Sequence, residues 1–459
     1  MIVSEMISMF ENKTIHMIGI GGISMSGIAQ MLLSLGANVT GSDVKQTKIT
    51  EKLEDLGIVI KYGHNPEMIE DADIVVYTAA ISDEDEEKVA AMKLGKEMYE
   101  RAEFLGIISK QYKNCLCIAG THGKSTTTSL VSLIFLEANL NPTIQVGAIL
   151  PQIDGNSYIG DKNYLIMEAC EYVDSFLKFN PTGAIVLNVD DDHLDYFHNI
   201  DNIKKSFTKF LNLLPNDGIA IINKDDINSN DIYKETKAKV ISYGIENDAD
   251  YMAKSITHND AGYYSFDVYH NNEFFNHIDL NINGKHNVYN ALAAIALSNY
   301  YIDDKDVIKK GLEKYHGVER RFEYIGTYND ALIYDDYAHH PTEIKTTLES
   351  VKETKHNESW AVFQSHTFSR TKEHLDEFAS ILANFDHIII APIYPARETN
   401  IYGISEDMLV DKIKVNNKNV IYLDSFDKIV AYLKDNIKPQ DLVITIGAGP
   451  INEVGLKLK

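Results

Sequence analysis

Residues 116–128 read Leu-Cys-Ile-Ala-Gly-Thr-His-Gly-Lys-Ser-Thr-Thr-Thr, and this stretch decides the fold of the centre of the chain. A short apolar strand stops at Gly120, a loop ending in Gly-Lys-Ser follows, and a helix is predicted next, from Ser129 to Ala138. The backbone N–H groups of such a loop, together with the electropositive helix end, form a phosphate cradle. Lys124 can reach the outer phosphates of a nucleotide, and the Ser125 hydroxyl can bind Mg²⁺. The loop is shorter than the usual signature, which has a glycine where Ile118 stands.

Composition narrows the class of protein. The 459 residues suggest about three domains of ~150 residues each. The net charge of −24 argues against nucleic-acid binding, which needs a dense basic patch. No apolar run approaches the ~18–20 residues of a membrane span, so we expect no membrane association. Three cysteines provide no disulfide framework, which favours a cytoplasmic protein.

The N-terminal third begins with an apolar strand that runs into glycines, Thr-Ile-His-Met-Ile-Gly-Ile-Gly-Gly at residues 14–22. A helical segment, a strand ending near Asp43 and another apolar strand at 74–77 follow. This βαβαβ pattern is typical of one half of a doubly wound nucleotide-binding sheet. The third glycine of the fingerprint falls on Ser24, and Asp43 lies near the ~20-residue spacing of a ribose-binding acid. These residues alone leave open NAD, another nucleotide, or a plain packing turn.

Two further strands are predicted after the phosphate loop, at 164–167 and 184–189. Glu168 follows the first, and Asp-Asp-Asp-His at 190–193 follows the second. The carboxyl ends of parallel strands gather at one edge, so these groups can meet the phosphate loop. We favour Glu168 and His193 with Ser125 as Mg²⁺ ligands, because Mg²⁺ at a phosphate site keeps few protein ligands. His193 could instead cap backbone groups of its loop.

The stretch from 224 to 277 is polar and rich in tyrosine, and it predicts a β-rich insertion or small accessory sheet without recognisable chemistry. The helix that follows carries Asn287 and Asn290, three residues apart and therefore on one face. Two such amides could bracket the edge of a nucleotide base. Asn287 could instead cap the helix, with Asn290 incidental.

The last third again alternates strands with helices, which predicts a second doubly wound domain. Its strand-end loops concentrate arginine, aspartate and histidine: Arg320, Asp336, His339, His366 and Arg370. Surface salt bridges would account for Arg320 and its neighbour Arg321, but less well for the others together.

Taken in order, the motifs resemble the Mur ligases, the ATP-dependent amino-acid ligases of peptidoglycan assembly. The shared motifs are the Gly-Thr-His-Gly-Lys-Ser loop, Glu168, Asp192-His193, Gly-Lys-His-Asn-Val-Tyr-Asn at 284–290 and Arg-Arg-Phe-Glu at 320–323. Stretches 19–27, 335–343 and 363–371 resemble the members that join L-alanine to UDP-N-acetylmuramate. The chain departs from the family pattern at Ser125, where many members have threonine, at Cys170, where aspartate is commoner, and at Thr367, where some have arginine.

The resemblance implies an α/β protein of three domains. A Rossmann-like UDP-sugar domain is expected at 1–109, a P-loop ATPase-like domain at 110–316 and a second Rossmann-like domain at 317–459. The N-terminal glycine loop then holds a UDP-sugar and not NAD. The substrates are UDP-N-acetylmuramate and L-alanine, the cofactors are ATP and Mg²⁺, and the protein is a monomer or a homodimer.

The implied reaction converts the sugar carboxylate to an acyl phosphate, which the amine of alanine attacks. Catalytic roles are implied for Lys124, Glu168, His193 and His339. Nucleotide contacts are implied for Gly120, Thr121, His122, Gly123, Lys124, Ser125, Thr126, Asn287, Asn290, Arg320 and Asp336. Contacts to the sugar nucleotide or to alanine are implied for Gly21, Gly22, Ser24, Met25, Asp43, Tyr337, His339 and Arg370. The alternatives are a ligase that recycles a preformed peptide, an NAD-dependent oxidoreductase and a non-catalytic nucleotide-binding regulator.

Overall fold

The structure is a computed structural model that describes residues 9–459. It divides into two compact units. The first comprises residues 9–254 with segments 267–278 and 289–315. The second comprises segments 255–266 and 279–288 with residues 316–459. Within the described residues, no helix is both long and apolar enough to cross a bilayer.

The first unit opens with a five-stranded parallel sheet in the order β3-β2-β1-β4-β5. The order reverses beside β1, so the loops after β1 and β4 flank a switch point of the kind that binds ligands in doubly wound folds. The elements are β1 Thr14–Ile18, α1 Ile23–Ser34, β2 Asn38–Asp43, α2 Lys48–Asp55, β3 Val59–Tyr62, a 3₁₀ turn Pro66–Ile69, β4 Ile74–Tyr77, α3 Glu86–Lys93, β5 Glu97–Glu100 and α4 Arg101–Ser109.

The second sheet has ten strands in the order β15-β14-β13-β12-β11-β10-β6-β9-β7-β8. Its elements are β6 Asn114–Ala119, α5 Lys124–Glu137, β7 Thr143–Leu150, β8 Gly155–Tyr158, β9 Tyr164–Glu168, β10 Gly183–Val186, α6 Leu194–Phe197, α7 Ile200–Leu211, β11 Ile219–Asn223, α8 Ser229–Ile232, β12 Lys239–Gly244, β13 Tyr251–His258, β14 Tyr263–His270, β15 Glu273–Asn283, α9 His286–Tyr301 and α10 Lys305–Glu313; 3₁₀ turns cover Pro151–Ile153 and Tyr172–Lys178. The β-rich stretch predicted at 224–277 forms strands that extend this sheet.

The first and second sheets share one hydrophobic core. It contains the side chains of α1 and α4 together with those of β6, β9 and α7, and Phe104 and Phe176 are among its fully buried members. Burying apolar surface from both sheets in one cluster is the main force that holds them together.

The third sheet, in the second unit, has the order β16-β17-β21-β18-β19-β20, parallel except for β16. Its elements are β16 Glu323–Tyr328, β17 Ala331–Asp336, α11 Pro341–Glu353, β18 Ser359–Phe363, α12 Phe368–Glu373, α13 Leu375–Leu382, β19 His387–Ile390, α14 Glu406–Lys414, β20 Val420–Tyr422, α15 Phe426–Asn436, β21 Leu442–Ile446 and α16 Asn452–Leu458. Separate apolar clusters cover its two faces, as a doubly wound sheet requires.

Candidate active site

The phosphate loop lies between β6 and α5. Gly120 and Gly123 have φ angles of 139° and 86°, which side chains disfavour. A β-carbon at Gly120 would lie 2.9 Å from Cβ of Leu187, and a β-carbon at Gly123 would lie 2.6 Å from Oδ1 of Asn290. Helix α5 begins at Lys124, five residues before the predicted start at Ser129. Its first-turn N–H groups, which a helix leaves without acceptors of its own, belong to Lys124, Ser125 and Thr126.

The loop after β10 holds the phosphate loop in place. Asn188 accepts from the N–H of His122 through Oδ1 (2.8 Å) and donates through Nδ2 to the His122 carbonyl (3.1 Å). The Thr121 hydroxyl accepts from the N–H of Asp190 (2.9 Å), and His122 Nε2 lies 3.1 Å from Oδ2 of Asp190. Thr121 and His122 thus anchor the loop to the neighbouring strand end.

Lys124 points back into its own loop. Its ammonium donates to the carbonyls of Gly120 (2.5 Å) and Thr121 (3.0 Å) and forms an ion pair with Oε2 of Glu171 (3.1 Å). Burial alone would lower the pKa of Lys124, but the negative charges of Glu171 and Glu168 raise it above its usual value. The amine therefore stays protonated and can neutralise phosphate charge.

Glu168 ends β9 at the same edge of the sheet. Its Oε1 accepts a 2.5 Å hydrogen bond from the N–H of Gly147, in the middle of β7. A β-carbon at Gly147 would lie 2.7 Å from Oε2 of Glu168, so any side chain there would displace the carboxylate from this position. The carboxylate is thereby fixed near the Lys124 ammonium.

His193 occupies a left-handed turn, with φ of 56°. Asp192 Oδ1 accepts its backbone N–H at 2.7 Å, and its ring packs against Tyr172 with centroids 4.5 Å apart. Strand β10 ends at Val186 and not at the predicted residue 189, because the backbone beyond it forms this loop.

The predicted Mg²⁺ ligands offer a hydroxyl, a carboxylate and an imidazole from Ser125, Glu168 and His193. Within residues 9–459, no three His, Cys, Asp or Glu side chains come close enough to hold a metal by themselves. Mg²⁺ prefers oxygen ligands and takes most of them from water and phosphate at nucleotide sites. This donor set therefore fits an ion that binds together with a nucleotide.

The two asparagines of α9 have different surroundings. Both are buried, at 7% and 5% exposure for Asn287 and Asn290. Asn287 donates its amide to the carbonyl of Asn283 (2.6 Å), whereas Asn290 lies against Gly123 of the phosphate loop. Because Asn290 contacts the phosphate loop, its position supports the predicted role in nucleotide binding more directly than the position of Asn287 does.

The glycine loop of the first sheet is held by Asp43, which ends β2. Its Oδ2 accepts the N–H of Gly21 at 2.8 Å, and a β-carbon at Gly21 would lie 2.8 Å from that oxygen. A β-carbon at Gly22 would have no neighbour closer than 3.5 Å, the carbonyl oxygen of Gly19. Gly21 is therefore required by the protein itself, whereas the space beside Gly22 is open.

Two predicted sugar-nucleotide residues follow in the first turn of α1. The Ser24 hydroxyl accepts from Arg101 (3.2 Å) and from Gln145 (3.0 Å). Met25 is 1% exposed and lies in the hydrophobic core, so its side chain cannot contact a ligand. Only its backbone N–H, in the first turn of the helix, remains for binding.

In the second unit, His339 follows β17. Its Nδ1 lies 3.1 Å from the carbonyl of Tyr337 and 3.2 Å from Oε2 of Glu343. Because a carbonyl only accepts, Nδ1 carries the hydrogen and Nε2 the lone pair in the neutral ring. Burial, with Arg370 and Arg321 nearby, lowers the pKa of His339 although Glu343 opposes the shift. The ring is neutral at pH 7, and Nε2 can accept a proton.

Arg370 lies beside a second histidine. Its Nη1 is 3.2 Å from Nδ1 of His366, and the rings of His366 and His339 lie 5.9 Å apart. Burial and the charge of Arg370 lower the pKa of His366 to about 4. The structure thus brings His339, His366 and Arg370 into one cluster at the carboxyl edge of the third sheet.

Arg320 braces this edge of the sheet. Its guanidinium donates to Asp335 Oδ2 (3.0 Å) and to the carbonyls of Gly447 (2.6 Å) and Gly449 (3.0 Å), and lies over the Tyr337 ring. These contacts indicate a structural role more directly than the nucleotide contact predicted from the sequence.

Asp336 is nearly buried at the end of β17. It accepts from the N–H of Ala338 (2.9 Å) and the hydroxyl of Thr347 (3.1 Å). Burial raises its pKa to about 6, although the charge of Arg321 and these hydrogen bonds oppose the rise. The carboxylate is ionised at pH 7 and is held at the loop that carries Tyr337 and His339.

Family comparisons cover most of the chain. Residues 14–113 match the Mur ligase family catalytic domain, residues 118–298 the Mur ligase middle domain, and residues 320–449 the Mur ligase glutamate ligase domain. A UDP-N-acetylmuramate–L-alanine ligase of Caldanaerobacter subterraneus is 48% identical over 445 residues, 97% of both chains. The chain belongs to the Mur ligase family. A second UDP-N-acetylmuramate–L-alanine ligase, of Acetivibrio thermocellus, is 47% identical over 444 residues, 96% of this chain and 95% of that one.

Solved structures of the family agree. A UDP-N-acetylmuramate–alanine ligase of Thermotoga maritima superposes with a TM-score of 0.83 at 26% identity, over 97% of this chain and 98% of that one. A murein peptide ligase of Psychrobacter arcticus, also 26% identical, covers the same shares of the two chains with a TM-score of 0.72. The three-domain α/β architecture predicted from the sequence is confirmed.

Two residues of the site carry no signal in the sequence motifs: Glu171, the ion-pair partner of Lys124, and Gly147, whose N–H holds Glu168. Glu171 is separated from the phosphate loop by 47 positions in sequence. No spacing rule links the two, although its place just after the strand that ends in Glu168 was a usable signal.

Proposed function

We propose that this protein joins L-alanine to the carboxylate of UDP-N-acetylmuramate at the expense of ATP, as a step of peptidoglycan precursor synthesis. The phosphate loop, with Lys124 charged and beside Glu168, is the observation that carries the proposal. The high identity to L-alanine ligases over nearly the whole chain supports the choice of substrates.

A carboxylate is a poor acylating agent, so its activation comes first. Transfer of the γ-phosphoryl group to the sugar carboxylate gives an acyl phosphate and ADP, and the amine of alanine then displaces phosphate through a tetrahedral intermediate. Phosphoryl transfer depends mainly on positioning and charge neutralisation. The Lys124 ammonium and the first-turn N–H groups of α5 supply both at the phosphate loop.

Ser125, Glu168 and His193 would hold a Mg²⁺ ion at this loop, which would offset phosphate charge. Asn290, packed against Gly123, is placed to contact the nucleotide, and we also assign Asn287 and Asp336 to ATP binding. Gly22 and the first turn of α1 would receive the diphosphate of the sugar nucleotide.

Alanine must lose a proton before its nitrogen can attack. Neutral His339 exposes an unprotonated Nε2 that can accept this proton, and Arg370 can bind the alanine carboxylate through paired N–H donors. Tyr337 lies beside His339, with ring centroids 5.5 Å apart, and would help to place the amino acid.

The proposal is tested by phosphate release from ATP. Release should require UDP-N-acetylmuramate and L-alanine together, and glycine, L-serine and a preformed peptide are the comparison substrates. Equal release without an amino acid would contradict the proposal, and preference for the peptide would favour a recycling ligase, the activity suggested by the Psychrobacter relative. We propose a cytoplasmic monomer or homodimer with the domain boundaries given above; gel filtration with light scattering measures the oligomeric state.

A further inference from the structure

The sugar carboxylate has to meet the γ-phosphate of ATP, yet the proposed sites for the two nucleotides are built on different sheets of the first unit. The glycine loop and α1 belong to the first sheet, and the phosphate loop and Glu168 belong to the second. A segment that fixes the sugar-nucleotide site relative to the ATP site would set the distance between the reacting atoms.

The hairpin formed by β7 and β8 contacts the first turn of α1 directly. Gln145 of β7 donates its amide to the carbonyl (2.8 Å) and the hydroxyl (3.0 Å) of Ser24. Asn156 of β8 donates to the carbonyl of Ile23 (2.6 Å). Both amides are 5% exposed, so these hydrogen bonds are shielded from water and stronger than surface contacts.

Close packing reinforces the hydrogen bonds. A β-carbon at Gly27 of α1 would lie 3.2 Å from Nε2 of Gln145 and 3.4 Å from Cδ and Cγ of the same side chain. The Gln145 side chain therefore packs directly against α1 at Gly27. A larger residue there would force the Gln145 side chain to move.

The same strand also contacts the phosphate site, two residues further along. Gln145 pairs with Met167 of β9, and two residues further along β7 the N–H of Gly147 donates to Glu168. In an extended strand these two positions are about 6.6 Å apart, on the same face. Three consecutive residues, 145–147, thus connect the first turn of α1 to the Glu168 carboxylate.

We propose that Gln145 is a positioning residue, and that residues 145–147 of β7 fix the glycine-loop helix of the sugar-nucleotide site relative to Glu168 of the ATP site. This inference rests on the proposed function. It assigns Gln145 to the alignment of two bound substrates and not to the binding of either one.

The test replaces Gln145 with methionine, which keeps the volume and removes the amide donor. We expect kcat at saturating substrates to fall about 10–100-fold, since small misplacements of reacting groups cost rates of that order. Calorimetry measures the binding of UDP-N-acetylmuramate alone and of the non-hydrolysable ATP analogue AMP-PNP alone. Each dissociation constant should change less than about threefold, which is well below the tenfold change that corresponds to about 1.4 kcal/mol.

A matched control is Asn180→Leu. Asn180 also joins the two parts of the unit, donating to the carbonyl of Gly106 (3.0 Å) and the hydroxyl of Ser109 (3.3 Å), but contacts neither site. We expect its kcat to stay within twofold of the parent. An equal fall in this control would show that any loosening of the interface slows turnover, and would overturn the specific role of Gln145.

Two other results would overturn the proposal: unchanged kcat in folded Gln145→Met, or a loss confined to the affinity for one nucleotide. If that variant does not fold, Gly27→Ala displaces the Gln145 amide from the opposite side and is judged by the same kcat and affinity criteria. A parent protein without alanine-dependent turnover would refute the proposed function itself, and the positioning role with it. An active parent with equally active variants would refute only the positioning role.

Discussion

Glu171→Gln tests how the Lys124 charge is held. The ion pair is 3.1 Å long, with Glu171 2% and Lys124 16% exposed. Two unit charges at that distance attract by about 5 kcal/mol at an effective dielectric constant of about 20. Breaking a buried pair typically costs about 3–5 kcal/mol. The glutamine keeps an acceptor, and the carbonyls of Gly120 and Thr121 remain, so we expect a loss of about 2–3 kcal/mol.

The assay has two parts. Urea unfolding followed by circular dichroism measures the stability loss, with Glu103→Gln as control, because the 3.3 Å pair of Glu103 with Lys178 is half exposed and should contribute under about 1 kcal/mol. Calorimetry should show that AMP-PNP binds Glu171→Gln about tenfold more tightly than it binds the parent protein. The reason is that the phosphates of AMP-PNP no longer compete with the Glu171 carboxylate for Lys124. A stability loss no larger than the control's, or weaker binding of AMP-PNP, would refute the reasoning.

Lys124→Ala should lower kcat by roughly 10²–10⁴-fold with the fold intact, and Glu168→Ala should raise the Mg²⁺ concentration needed for half-maximal rate; near-normal turnover of the lysine variant would make the loop purely structural. Gly22→Val should weaken the binding of UDP-N-acetylmuramate, measured by calorimetry, and leave the stability of the protein unchanged. Gly21→Ala should destabilise the protein by about 1–3 kcal/mol, because its β-carbon meets Asp43; the reverse pattern would contradict the roles assigned to the two glycines. The pKa of His366 is lowered to about 4, so the unfolded chain binds that proton first, and stability should fall as pH drops from about 6.5 to 4. His366→Gln should make the free energy of unfolding, measured with urea at each pH, depend less on pH in this range. Arg370→Met should raise the pKa of His366 in NMR titrations. An unchanged pH profile or an unchanged pKa would contradict these expectations.

Features carried by local patterns could be predicted from the sequence. Glycine, lysine and serine in fixed order after an apolar strand predicted the phosphate loop, and the position of Glu168 at the same edge of the sheet was predictable because carboxyl ends of parallel strands share an edge. The start of α5 was placed five residues late, because the three threonines that follow Ser125 are weak helix formers. The left-handed Gly123 and the contacts of the loop override that local preference.

Features set by distant contacts could not be predicted. The guanidinium of Arg320 is tied to Asp335 and to the loop after β21, more than 120 positions away, which no local pattern reveals. Met25 lies next to Ser24 in the first turn of α1, yet its side chain turns into the core while Ser24 meets β7. The role of Gln145 likewise depends on the packing of two sheets.

The central claim, carboxylate activation by ATP, is tested most directly by following an oxygen atom. UDP-N-acetylmuramate labelled with ¹⁸O in its carboxylate is incubated with ATP, Mg²⁺ and L-alanine, and the phosphate released is analysed by mass spectrometry. Displacement of phosphate from an acyl phosphate carries one carboxylate oxygen with it, so each phosphate should contain one oxygen from the labelled carboxylate. Unlabelled phosphate, or label recovered in AMP, would contradict the account.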